Sequence, residues 1–162
     1  MLNIKIICVG KIKEKATQAL IDEYSKRISK YAKLEIISIE DEKLPLNLSK
    51  QEITKIKSIE CSKIKEKIDK YEKKTVFFLD LKGKEYSSEE FSEKLSNIAT
   101  YESSTIIFVI GGSLGLSDEL LATSNNKICF SKMTFPHQLI RVFLLEQIFR
   151  AFKIQNNERY HH

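Results

Sequence analysis

Five short apolar runs, each separated from the next by a stretch of helical character, constrain this chain more than any other feature. The runs are Asn3–Val9 (NIKIICV), Leu34–Ile39 (LEIISI), Thr75–Leu81 (TVFFLDL), Thr105–Ile110 (TIIFVI) and Lys127–Phe130 (KICF). Each has the length and the β-branched and aromatic content of a buried strand. Between them, Glu14–Tyr31 sets Leu20, Tyr24, Ile28 and Tyr31 at helical spacing. Two capping boxes, Ser49-x-x-Glu52 and Ser87-x-x-Glu90, open the next two helices. Gly83 is expected to make the turn after the third strand. A short helix is expected from about Ser117, and Pro136 suits the first turn of a last helix that runs to about Phe152. Strands alternating with helices predict an α/β fold, a mostly parallel sheet flanked by helices on both faces. No repeat, low-complexity tract or linker interrupts residues 1–162, so one domain is expected.

Composition narrows the class. A chain of 162 residues buries roughly 70% of its unfolded surface and can hold a core without disulfides or metal. Hydrophobic residues at 42% exclude a disordered tail, and charged residues at 30% exclude a membrane protein. The most apolar helical stretch, Leu139–Phe152, is broken by Arg141, Glu146 and Arg150 and is too short to span a bilayer. Cys8, Cys61 and Cys129 are odd in number and form no C-x-x-C pair, so neither a zinc ribbon nor a disulfide framework is supported. No His/Cys/Asp/Glu cluster has metal spacing. The opening Met1-Leu2-Asn3-Ile4-Lys5 enters the first strand without a signal-peptide pattern, and the reading is a reduced, cytoplasmic protein.

The charge is unevenly placed. Residues 1–119 are nearly balanced at +1, whereas residues 120–162 carry +4 of the net +5. The chain has 23 lysines and four arginines, and three of the four arginines (Arg141, Arg150, Arg159) lie in this last region with all three histidines. Arginine is the better residue where phosphates are gripped by a planar fork, so a polyanionic partner, most simply nucleic acid, becomes the leading idea.

In parallel α/β sheets, ligands bind beyond the carboxyl ends of the strands. Three such ends are chemically distinctive here: Leu79-Asp80-Leu81, Gly111-Gly112-Ser113-Leu114-Gly115, and Ser131-Lys132-Met133-Thr134-Phe135-Pro136-His137. Paired glycines let backbone approach a ligand closely, and a side chain at position 112 is expected to occupy ligand space. The spacing is not G-x-G-x-x-G, and no P-loop motif exists. The Ser131–His137 loop offers backbone donors and acceptors between apolar walls, as an adenine pocket would. The tail, Asn156 to His162, holds an aromatic, two imidazoles and an arginine, a mixture able to stack on an unstacked base, although a frayed terminus reads the same way. On these residues alone, an enzyme competes with a non-catalytic RNA- or ribosome-binding protein and with a nucleotide-binding protein acting on a small molecule.

Four segments carry a family resemblance: IGGSLGLS (Ile110–Ser117), FSKMTFPHQL (Phe130–Leu139), the helix R-V-x-L-x-E-Q-x-x-R-A-F (Arg141–Phe152), and the terminal Tyr160-His161 pair. Together with the opening IICVGKIKEK (Ile6–Lys15) they resemble the bacterial ribosomal RNA large subunit methyltransferase H family, of the SPOUT class. The resemblance covers essentially the whole chain. It implies a SPOUT-type α/β homodimer with a C-terminal trefoil knot that binds S-adenosylmethionine. It further implies methylation of N3 of a pseudouridine in helix 69 of 23S rRNA on the assembled ribosome. Carried over by position, the cofactor residues are Leu79, Gly112, Ser131, Lys132, Met133, Thr134, Phe135 and Pro136, while Arg141, Tyr160 and His161 serve the RNA side. Asp80 and His161 are the candidate bases. The tail departs from the family's Pro-Tyr-His followed by Lys or Arg, since this chain reads Arg159-Tyr160-His161-His162.

Overall fold

In a computed structural model that describes residues 1–160, the apolar runs pair into one five-stranded sheet. The elements follow as β1 (Leu2–Val9), α1 (Lys15–Ile28), β2 (Ala32–Ile39), α2 (Lys50–Ile68), β3 (Thr75–Glu85), α3 (Ser88–Asn97), a π-helical turn (Ile98–Glu102), β4 (Thr105–Ile110), α4 (Asp118–Leu121), β5 (Lys127–Cys129) and α5 (His137–Gln155). The strand order is β2-β1-β4-β3-β5, and every pairing is parallel. The expected α/β architecture is therefore present.

Strand alternation divides the core into two layers. Ile4, Ile6 and Cys8 of β1, Phe77 of β3, and Ile106 and Phe108 of β4 face α1, α3 and α5. Ile7, Val9, Phe78, Ile107 and Val109 face the other way, toward Cys61, Ile64 and Ile68 of α2 and Leu120 of α4. Central strands buried on both faces read as unbroken apolar runs, which is why TIIFVI and NIKIICV were legible. Phe77 and Phe108 stack across the β3–β4 ladder with centroids 5.2 Å apart. Helix starts follow their caps: Ser49 and Ser87 each accept from the N–H three residues on, and Glu52 and Glu90 reach back to complete both boxes.

α5 is apolar nearly all round because it lies between α1 and α3 as well as over the sheet. Ser92 of α3 donates to the Ala151 carbonyl at 3.0 Å, and Tyr31, at the end of the α1 turn, stacks on Phe152 at 5.3 Å.

The structure corrects the reading of Gly83. It makes no turn; β3 runs on to Glu85, shifting register so that Leu79 and then Lys84 lie opposite Ile128. A Cβ on Gly83 would sit 2.7 Å from both the backbone C and N of Ile128, so only hydrogen fits where the two chains cross. β5 is thus held by two separate stretches of β3. The Phe130–Pro136 segment leaves the sheet from that doubly gripped strand.

Candidate active site

The middle of β3 and the carboxyl ends of β4 and β5 come together around a cleft of about 710 Å³. One wall is Leu79, Asp80 and Leu81, a second is Ile110 to Leu116, and the third is Ile128 to Ser131 with Met133 to His137; Ile140 of α5 contributes from below. The size suits a nucleoside-sized ligand, and the mixture of apolar side chains with converging backbone groups is that of a small-molecule site.

Local geometry explains the loops. The Gly112–Gly115 stretch closes on itself through Gly115 N–H donating to the Gly112 carbonyl at 3.0 Å. Gly115 has φ +78°, the left-handed region, with nothing within 4 Å of an added Cβ. In the other loop the Met133 N–H donates to Ser131 Oγ at 3.0 Å, and the Cys129 thiol donates to the Ser131 carbonyl at 3.0 Å. Both loops are therefore shaped by their own hydrogen bonds.

Of the cofactor residues carried over by position, the fold brings Leu79, Gly112, Ser131, Met133, Thr134, Phe135 and Pro136 into this one cleft. Lys132 is exposed and forms no part of its wall. Gly112 lines the cleft through its backbone, but the expected reason for the glycine does not hold. A Cβ there would meet Val9 Cγ1 at 3.1 Å and Glu60 Oε1 at 3.2 Å, atoms of β1 and α2 rather than ligand space. Ile128, Cys129 and Ile140 were missed by sequence reasoning; a strand interior and an apolar helix position carry no signal that they end at a cleft.

The residues carried over to the RNA side are not gathered there. Arg141 is buried, with 2% of its surface exposed, so it does not face an RNA as expected. One terminal nitrogen, Nη2, donates to the carbonyls of Val9 at 2.6 Å and Gly10 at 2.8 Å, while Nε has no partner. The guanidinium ties the end of β1 to the first turns of α5. That is a positioning role, and the chain folds around it because a buried cation needs carbonyl or carboxylate partners.

Tyr160 is also elsewhere, and it is not frayed. Its ring meets Phe149 edge-on at 5.0 Å, with the Arg150 guanidinium 4.8 Å above the ring centroid. Its hydroxyl donates to the Glu146 carboxylate at 2.9 Å. Glu146 is also gripped by Arg150 at 2.7 Å and is bonded to Tyr24, whose phenol is pushed up to about 12 by burial first and the carboxylate second. Glu158, just before, accepts from Tyr31 at 2.7 Å and pairs with Lys153. The tail as far as Tyr160 is docked on α5, outside the cleft wall. His161, the remaining candidate, lies outside the described residues.

A carboxylate and an imidazole line the cleft. Asp80 is half-buried in the first wall. His137, the first residue of α5, is half-buried in the third. Burial, then the Arg141 guanidinium, hold the His137 imidazole below its usual range, with Asp41 acting in the opposite sense. Among the described residues no group of three or more His, Cys, Asp or Glu side chains is placed to hold a metal, and no helix is long and apolar enough to cross a membrane.

This arrangement has known counterparts. The sequence pattern described as "Predicted SPOUT methyltransferase" matches residues 2–161. A protein of Clostridium perfringens (strain SM101 / Type A), ribosomal RNA large subunit methyltransferase H 1, is 54% identical over 160 residues, 99% of each chain. The ribosomal RNA large subunit methyltransferase H of Clostridium botulinum (strain Kyoto / Type A2) is 56% identical over the same span, again 99% of each chain. Among solved structures, a probable methylase family protein from Haemophilus influenzae Rd KW20 superposes with a TM-score of 0.56 at 14% identity, over 98% of this chain and 70% of the other. A candidate methyltransferase from Legionella pneumophila, solved with its cofactor SAM bound, superposes with a TM-score of 0.53 at 11% identity, over 93% of this chain and 66% of the other. The structural likenesses speak for the fold alone. The pattern and the full-length relatives speak for the family: this chain belongs to the SPOUT methyltransferases, among the ribosomal RNA large subunit methyltransferase H proteins.

Proposed function

We propose that the protein transfers the methyl group of S-adenosylmethionine to N3 of a pseudouridine in helix 69 of 23S rRNA, on the assembled ribosome and as a homodimer. The observation that carries this reading is the cleft. Three segments far apart in sequence, carrying residues that the family resemblance assigns to the cofactor, enclose one nucleoside-sized space: Leu79–Leu81 of β3 and the loops after β4 and β5. The names borne by full-length relatives supply the substrate class.

When bound, the cofactor supplies a methyl group already activated on a sulfonium. The chain's residues do the remainder. Leu79, Phe135, Pro136 and Ile140 give the cleft its apolar surface and keep water from the methyl group. Backbone groups of Gly111–Gly115 and Ser131–Thr134 are available to the polar edges of a nucleoside. Holding the base nitrogen in line with the methyl carbon is the main requirement. An imide N–H is a poor nucleophile until it loses its proton, so a positioned base contributes about 10²–10⁴-fold.

The test is mass mapping of methyl groups on ribosomes incubated with the protein and labelled cofactor. One methyl on the helix 69 pseudouridine is expected; a methyl elsewhere, or none from protein that binds cofactor by calorimetry, overturns the reading. Calorimetry also separates it from a non-catalytic ribosome-binding protein, which would show no heat with S-adenosylmethionine and no competition by S-adenosylhomocysteine.

The homodimer rests on an apolar stripe. Most of the apolar surface of α5 is satisfied within the chain, since Val142, Leu144, Leu145, Ile148, Phe149 and Phe152 are buried. Left open are Met133, Phe135, Leu139 and Phe143, exposed by 74, 36, 39 and 40%, with Phe135 and Phe143 in edge-on contact at 5.6 Å. Apolar side chains left exposed beside a site fit a partner surface. In analytical ultracentrifugation at micromolar concentration the protein is expected to sediment at twice 18.8 kDa. Phe143→Glu should shift it to monomer mass with its helical signal intact, because the new charge meets solvent in the monomer and an apolar surface in the dimer. A wild-type protein at monomer mass would sink the idea.

A further inference from the structure

Behind the cleft lies a second cavity of about 50 Å³, room for one or two water molecules. The two spaces share only Gly112, Ser113, Leu114 and His137 in their walls. Among the described residues, His137 is the only titratable side chain that lines both. The rest of the small cavity is lined by Val9, Leu44 and three carboxylates: Asp41 and Glu42 of the segment after β2, and Glu60 of α2. Glu60 is 5% exposed and accepts from the Glu42 N–H at 3.1 Å; burial, with the Asp41 and Glu42 carboxylates beside it, holds its carboxyl above the usual range. Glu42 is paired with Lys63 at 3.1 Å. Asp41 is exposed, so the acidic side of the cavity opens to water.

From this geometry we infer that His137 is a catalytic residue, taking the proton of the base nitrogen in the cleft and passing it through the small cavity toward Asp41. The inference rests on the functional reading above. In the step, the base nitrogen forms its bond to the methyl carbon while the carbon–sulfur bond breaks with its electron pair on sulfur. The N–H proton moves to the imidazole and its bonding pair stays on nitrogen. The products are the N-methyl base, a neutral thioether and an imidazolium, which returns to neutral by giving its proton to water at the carboxylates. Asp80 lines the cleft but not the small cavity, so a proton taken there has no such exit.

The groups that face His137 set its behaviour. Burial and then Arg141 on α5 disfavour the imidazolium, and Asp41 favours it. Glu42 and Glu60 face the same cavity, and Asp80 and Cys129 face the cleft.

His137→Gln should keep the affinity for S-adenosylmethionine within about threefold by calorimetry and keep the ribosome bound. Its single-turnover methyl transfer should fall by about 10²–10⁴-fold, the range of a lost general base. Asp41→Asn supplies a second readout that does not depend on turnover. Removing the carboxylate should move the His137 ring titration, followed by NMR in a chain with only three histidines, to lower pH. The acid limb of the pH–rate profile should move with it. Transfer by His137→Gln within threefold of wild type, or an acid limb that stays put while the ring titration moves, overturns the relay. Wild-type protein that binds cofactor but methylates no ring nitrogen would instead overturn the functional reading on which it rests.

Discussion

Gly83→Ala should lower the melting temperature by roughly 10 °C and weaken cofactor binding at the same time. The added carbon would lie 2.7 Å from the backbone of Ile128, a contact that no rotamer relieves because both partners are main chain. Gly83 is not in the left-handed region, so the loss is steric and carries no separate dihedral penalty. Overpacking of this kind costs about 1–3 kcal/mol where side chains can yield, and a backbone partner puts it at the upper end or above. Each kcal/mol moves the transition of a domain this size by about 2–4 °C. The strand displaced is β5, from which the Phe130–Pro136 wall of the cleft departs, so cofactor affinity should fall with stability rather than survive it. Thermal denaturation by circular dichroism, paired with calorimetry, reads both quantities. A variant that melts within about 2 °C of wild type would show that β3 and β5 do not need to cross this closely.

That glycine also shows where sequence reasoning runs out. The central strands were legible because a strand buried on both faces is largely apolar, the edge strand β2 by its β-branched content, and three of the four longer helices by capping boxes or by Pro136. The cleft was legible for a related reason. Parallel strands place their loops at one edge, so the chemically unusual loops after β4 and β5 had to be neighbours, beside Leu79–Leu81 of β3. The continuation of β3 was not legible, because Lys82-Gly83-Lys84-Glu85 is polar and glycine-centred, the composition of a turn. Only the crossing with Ile128 turns it into strand.

Arg141 misled in the opposite direction. An arginine near the start of a basic C-terminal region reads as a phosphate ligand, yet its neighbours one helical turn away, Leu144 and Leu145, are fully buried. Its carbonyl partners lie more than 130 residues away, at Val9 and Gly10. No local pattern encodes a contact of that range. The apolar flanks of Arg141 were a signal that its side chain faces inward, and the surrounding positive charge obscured it. The same holds for Tyr160: composition could say that the tail carried an aromatic ring, and only the fold says that Glu146 and Phe149 receive it.

Removal of Arg159–His162 should leave S-adenosylmethionine affinity within a few-fold of wild type while methyl transfer to ribosomes drops by on the order of 100-fold or more. The first half follows from position, since Tyr160 is docked on α5 and none of the tail's described residues lines the cleft. The second follows from what the deleted residues would offer to RNA. Stacking of a base on Tyr160 is worth about 1–3 kcal/mol, or about 5- to 150-fold, and His161 adds a hydrogen-bonding imidazole. Tyr160→Phe separates this from the tail's own anchoring. It keeps the ring against Phe149 and under Arg150 but removes the hydrogen bond to Glu146, worth about 1.5–3 kcal/mol for a charged acceptor and less where, as here, the group is only half-buried. If stacking is what matters, the phenylalanine variant retains most of the transfer rate and Tyr160→Ala does not. Arg159→Ala should reduce the salt dependence of ribosome binding by about one phosphate contact and leave the transfer step alone. A truncated protein that turns over ribosomes at the wild-type rate would assign the tail to packing on α5 and nothing more.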